Sequence, residues 1–118
     1  MYGLPPNVDL DFFLGKTLIQ VCIGANDCNL NFDDGLRISV TSVIGCVESN
    51  NVYRKYEDFR QAAPNLVALL DRVVMSAREV TGGTLSIEFR GGGRLDIYDD
   101  SKEYESYVIR HKDKQIVV

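Results

Sequence analysis

The sequence predicts an α+β, β-rich fold: two antiparallel meanders packed as a sandwich or roll, with one or two connecting helices. Three observations carry that expectation. Apolar residues alternate with period two over 18–40 and again over 73–98. Turns rich in glycine interrupt both runs, at Asp33-Asp34-Gly35 and at Gly91-Gly92-Gly93. Between the two runs the spacing lengthens to three or four, at Tyr56, Phe59, Ala63, Leu66 and Leu70, which is one face of a helix.

A chain of 118 residues that is 45% apolar and 25% charged is long enough to bury a core without staples, so residues 1–118 are read as one domain. Net charge is -4, from 13 basic and 17 acidic residues, and the sequence pI is about 4.9. The basic residues are scattered rather than clustered, which argues against a nucleic-acid partner. Apolar runs fall far short of the roughly 20 residues a membrane span needs. The first residues carry aspartates where a signal peptide is continuously apolar, so a cytoplasmic location is expected. Three cysteines without a CxxC pair read as free thiols in a reducing compartment. His111 is the sole histidine, so no metal site and no cofactor is expected.

In chain order, Pro5-Pro6 opens an extended lead-in. Leu10, Phe12, Phe13 and Leu14 then cover one end of the core or, alternatively, form an oligomer contact. From Leu18 a strand alternates Ile19, Val21 and Ile23 against Leu18, Gln20 and Cys22. If Ile23 pairs with Cys28 across the turn at 24–27, Cys22 and Cys28 point to opposite faces and cannot be bridged. A three-residue loop at Asp33–Gly35 pairs Phe32 with Leu36, Leu30 with Ile38 and Cys28 with Val40, all on one face; a two-residue loop would set Phe32 against Arg37. Val43, Ile44 and Val47 continue that third strand beyond a bend at Gly45. Residues 49–53 cross between the halves, and a helix is expected from Pro64 to Asp71, with a second before it.

Residues 73–80 read as a strand, because a turn at Thr81-Gly82-Gly83 then sets Ala77 opposite Ile87 and Met75 opposite Phe89. Strands follow at 84–90, 93–98, 105–111 and 114–118, eight in all. CNLNFDDGLRISV and LSIEFRGGGRLDIY share an apolar pair, a phenylalanine, a glycine turn and a resumed alternation. Leu14-Gly15-Lys16 and Leu70-Asp71-Arg72 both precede a strand. These matches suggest a pseudo-repeat, two meanders packed around the connecting helix.

Polar and aromatic residues are densest at Tyr98, Asp99, Asp100, Ser101, Tyr104, Glu105 and Tyr107. As a binding surface this segment offers carboxylates and phenols to an arginine-rich partner. As structure, Asp99-Asp100-Ser101 is a turn and cap, and the tyrosines close an end of the sandwich with their hydroxyls wet. The glycine run at 91–93 lacks the GK[ST] ending and following helix of a phosphate loop, so it reads as a hairpin tip. No Ser-His-Asp, HExxH or GxSxG pattern is present, and no catalytic residue is assigned.

The Leu14-Gly15-Lys16 lead-in, the glycine hairpin, Asp99-Asp100-Ser101 followed by Tyr104-Glu105-Ser106-Tyr107, and the terminal Ile116-Val117-Val118 together resemble a group of small uncharacterised bacterial proteins. The pieces spread over most of the chain and skip residues 43–65, and the resemblance implies no activity. Some small domains of this general kind resemble immunity proteins of bacterial toxin systems.

The expected function is therefore non-enzymatic protein–protein interaction, immunity-like or regulatory, with an acidic, tyrosine-containing surface turned to a basic partner. The alternative is a small-ligand protein or enzyme with a pocket near Asp99, Glu105 and His111. A third reading is a homodimer joined through the terminal strand or Phe12-Phe13.

Overall fold

Pairing of residues 28–32 with 36–40 puts every apolar residue of those two alternating runs on one side. The computed structural model describes residues 4, 8–47, 51–100 and 105–118. In it β1 (Leu18–Ile23), β2 (Cys28–Phe32) and β3 (Leu36–Val40) form the expected meander. Leu30 faces Ile38 and Cys28 faces Val40, as the loop parity requires. Gly35 takes φ 74° and Asp34 φ 59°, the left-handed pair that closes the loop.

The third strand does not continue to Val47. Thr41–Val43 breaks it, and β4 (Ile44–Val47) leaves for the opposite sheet, where Gly45 lies within the strand rather than at a bend. There it pairs with β5 (Tyr53–Tyr56), a strand where the sequence pattern predicts the end of the crossing and the start of a helix face. Asp58 then caps α1 (Phe59–Val67), its carboxylate accepting the Arg60 N–H at 3.0 Å. The helix thus begins before Pro64 rather than at it, and buries Phe59, Ala62 and Leu66. The second half repeats the order: β6 (Val74–Val80), β7 (Thr84–Phe89) and β8 (Arg94–Ile97) form a meander, then β9 (Tyr107–His111) and β10 (Lys114–Val117) cross back.

Among the described residues the result is two five-stranded antiparallel sheets with one α-helix, an α+β sandwich. Sheet I has the order β1-β2-β3-β9-β10 and sheet II β6-β7-β8-β4-β5. The two orders become identical when each half is renumbered from its own first strand, so each meander is completed by the last hairpin of the other half. The hydrogen bonds at the junction follow the same exchange. Gly15 N–H donates to Val74 O at 3.1 Å and Asp71 N–H to Leu18 O at 2.8 Å; Leu18 N–H donates to Arg72 O at 3.1 Å and Val74 N–H to Lys16 O at 2.8 Å. Gly15 and Asp71 both have positive φ, and Thr17 bridges Val73 between them. The pseudo-repeat is real in topology, and the helix packs against β1 of sheet I and against β4 and β5 of sheet II.

Each first strand of a half also carries a bulge, between Leu18 and Gln20 and between Val74 and Ser76. Val74, not Met75, therefore sits opposite Phe89, and Leu18, not Ile19, enters the core. Ile19 and Met75 are left more than half exposed, at 56% and 53%. The interior is filled by residues of both inner faces, among them Leu30, Ile38, Ile44, Leu85, Ile87 and Leu95, with Phe13 sealed beneath Phe32 at its end. Phe13 is thus interior, and Phe12 stacks on it and on His111. Among the described residues no helix is long and apolar enough to cross a membrane.

Candidate functional site

Because Ile44, Cys46, Leu85, Ile87, Leu95 and Ile97 point inward, the alternation turns Gly45, Tyr53, Lys55, Ser86, Asp96 and Tyr98 to the outer face of sheet II. Gly45 is the enabling residue. With no side chain there, Tyr53 lies across the strand and shelters Asp96, which is only 7% exposed. The Tyr53 hydroxyl donates to Asp96 Oδ2 at 3.2 Å and is hydrogen-bonded to the Tyr98 hydroxyl. Ser86 Oγ donates to Asp96 Oδ1 at 2.7 Å, and the Arg94 guanidinium pairs with the same carboxylate, its Nη2 donating to Oδ2 at 3.4 Å and its Nε lying 3.4 Å from Oδ1.

Burial first, then the Tyr98 hydroxyl and the neighbouring Asp96, push the Tyr53 phenol well above its usual 10. It is a neutral donor, not a phenolate nucleophile. Arg94 stacks its guanidinium 5.3 Å from the Tyr53 ring centre, and Lys55 holds its ammonium 4.3 Å from that of Tyr98. Both oxygens of Asp96 are engaged, so the cluster presents two fixed aromatic rings rather than an open acid or base.

Lys55 also lines an open groove of about 520 Å³, together with Val43, Glu57, Asp58, Gln61 and Asp100. Its walls bring three carboxylates against one ammonium; Asp58 is paired with the Arg60 guanidinium, so Glu57 and Asp100 are what leave the slot net negative beside the tyrosine pair. The bonds from the Arg60 side chain and backbone hold the Asp58 carboxyl below its usual range, so it keeps its charge.

The sequence-derived residues distribute as follows. Tyr98 and Asp100 belong to this face and groove. Asp99 accepts from Ser106 Oγ at 2.8 Å, and Glu105 is exposed beside it. Tyr107 is sealed in the interior at 1% exposure, and its hydroxyl donates to Gly83 O at 2.8 Å instead of meeting water. Burial first, then Asp99 and Glu79, raise that phenol too. Ser101 and Tyr104 lie outside the described residues. Asp99, Glu105 and His111 are not brought together: β9 separates Glu105 from His111 by roughly 20 Å at about 3.3 Å per residue. His111 instead stacks under Phe12, its Nε2 3.8 Å from Asp34 Oδ2.

A smaller cavity of about 330 Å³ borders the glycine run 91–93 and Arg72. The Arg72 guanidinium is committed to scaffolding, donating to Gly91 O at 3.0 Å, Gly92 O at 2.8 Å and Ala68 O at 3.1 Å, which ties the end of the helix to the hairpin tip. Cys22 and Cys28 are not bridged to each other, with Ile23 paired to Cys28 so that Cys22 points outward. Burial, aided by Asp27 and Cys22, pushes the Cys28 thiol up to about 12.

Tyr53, Lys55, Ser86 and Asp96 were missed by sequence reasoning, as were Glu57 and Asp58. The available signal was the tyrosine-bracketed Tyr53-Arg54-Lys55-Tyr56, a short strand with β-forming aromatics at both ends. Among the described residues no group of three histidine, cysteine or acidic side chains is arranged to hold a metal ion. No known protein family, characterised protein or solved structure matches the chain.

Proposed function

We propose that the chain is a non-enzymatic binding protein, immunity-like or regulatory in kind, whose recognition surface is the Tyr53–Tyr98 pair with the acidic groove beside it. The partner is a protein that offers lysine or arginine side chains. One observation carries this reading. Two aromatic rings held by a satisfied polar cluster stand next to a slot lined by Glu57, Asp58 and Asp100. Fixed rings lose little entropy on binding, and carboxylates at the rim steer a cationic partner. The engaged oxygens of Asp96 and the raised phenol of Tyr53 favour binding over acid–base or nucleophilic chemistry.

Calorimetric titration with an octalysine peptide at low salt tests it. Glu57→Gln and Asp100→Asn should each weaken binding several-fold, and Tyr98→Ala by about tenfold, with circular dichroism unchanged. Glu88→Gln, whose carboxylate pairs with Arg78 at 3.3 Å, should leave it intact. Equal binding by all variants would overturn the reading, and loss of binding only together with loss of fold would make the tyrosines structural.

A further inference from the structure

We propose that the outer face of sheet I is a second binding surface, of opposite sign, that takes an acidic segment of a partner protein laid across the strands. The pairing register aligns two rows of outward side chains there. One row runs Gln20, Asn31, Arg37, Arg110, Gln115 across all five strands. The next runs Cys22, Asn29, Ser39, Val108, Val117, of which Val108 is buried at 6% exposure. Neither row contains a carboxylate, although the chain as a whole is net negative.

Arg37 and Arg110 are directly opposed on neighbouring antiparallel strands. Like charges in that relation repel, and a scaffold with no use for them is more stable without one. Here they are kept and fixed by neutral partners. Arg37 Nε donates to Asn31 Oδ1 at 2.7 Å, and Asn31 Nδ2 donates onward to Gln20 Oε1 at 2.8 Å. Arg110 Nη1 donates to Ser39 Oγ at 3.3 Å, and Ser39 Oγ donates to Asn29 Oδ1 at 2.6 Å. Each exposed guanidinium therefore has its direction set through one N–H and keeps others for a ligand, while neither makes an ion pair among the described residues.

Paired guanidinium forks match carboxylates bidentately. At about 4.8 Å per strand the first row is roughly 19 Å long, the reach of an extended peptide rather than of one small anion. The side-chain amides of Gln20, Asn31 and Gln115 suit the peptide groups of such a segment. Neither row contains an aromatic side chain on which a base could stack, which disfavours single-stranded nucleic acid. This surface lies on the other sheet from the tyrosine groove and does not rest on that reading.

Fluorescence anisotropy with a labelled octaglutamate peptide at low ionic strength tests the proposal. Saturable binding is expected. Arg37→Gln and Arg110→Gln should each weaken it about tenfold or more. Arg37→Lys should fall between, because an ammonium keeps the charge and loses the fork. Arg78→Gln on sheet II should bind as the parent does. Without peptide, the melting temperature of Arg37→Gln should be equal to or above that of the parent, because a repulsion is relieved. Unchanged binding in the arginine variants would overturn the proposal, as would a fall in melting temperature that marks them as scaffold. Displacement of the peptide by millimolar inorganic phosphate with the same arginine dependence would replace the acidic segment by a small anion. Concentration-dependent sedimentation abolished by Arg37→Gln would make the occupant a second copy of this chain; either result refutes the stated partner.

Discussion

Replacing Gly45 with alanine asks directly how the tyrosine pair is held. A Cβ there would stand 2.6 Å from Tyr53 Cζ and 3.1 Å from Cε1, and nearer still to the hydroxyl oxygen. Comfortable carbon contacts lie at about 3.5–4.0 Å, so something must move by about 1 Å. The backbone of Gly45 is paired on both sides, to Lys55 and to Asp96, so the tyrosine moves. Its hydroxyl then leaves Asp96 and Tyr98, at about 1 kcal/mol per lost bond. Against this, alanine restricts the unfolded chain and returns about 0.4–1 kcal/mol. A net destabilisation of about 1–2 kcal/mol is expected. In a Tyr53→Ala background the obstacle is gone, and Gly45→Ala should stabilise by about 0.5 kcal/mol. The sign reversal, a coupling of about 2 kcal/mol, is read by urea unfolding of the four proteins in a double-mutant cycle. Destabilisation of equal size in both backgrounds would refute the packing of Tyr53 over Gly45.

Among the native thiols, Cys22 alone should react promptly with a disulfide reagent at neutral pH, since Cys28 and Cys46 are buried; titration of three thiols before unfolding would contradict this. Tyr107→Phe should cost about 1–3 kcal/mol in urea unfolding, because Gly83 O loses its buried donor; an unchanged midpoint would show that water replaces the hydroxyl. The thiol of Cys28 and the phenols of Tyr53 and Tyr107 ionise later in the folded chain than in the unfolded one, from reference values of 9.0 and 10.0. Their contribution is therefore complete below about pH 9 and is lost as pH rises towards 12, so the melting temperature should fall over that window. Tyr53→Phe should flatten the fall, and an equally steep decline in that variant would remove Tyr53 as a cause.

The hairpin registers were legible because alternation and loop parity act over a few residues. Leu30 against Ile38 follows once Asp33-Asp34-Gly35 is counted as the loop. The bulges were not, because alternation favours Ile19 and Met75 inside. What displaces them is the pairing of Leu18 with Phe32 and Val74 with Phe89 beside the Thr17–Val73 bridge, a contact between distant segments. The exchange of last hairpins is equally non-local, resting on β3 meeting β9 and β4 meeting β8. At the site, Tyr98 and Asp100 stood out as polar residues at the end of a strand. Asp96 did not, because its burial comes from Tyr53 on β5, and Tyr53-Arg54-Lys55-Tyr56 has no apolar alternation to mark it as a strand. Tyr107 was misleading for the converse reason: a phenol beside carboxylates in sequence lies in the core once β9 pairs with β3.

Amide-shift mapping of the labelled chain during titration with octalysine tests the recognition surface most directly. The account places the largest shifts at Val43, Lys55, Gln61, Tyr98 and Asp100, with Asn31 and Ser39 on the opposite sheet unmoved. Shifts spread evenly over the molecule, or gathered on sheet I, would contradict it.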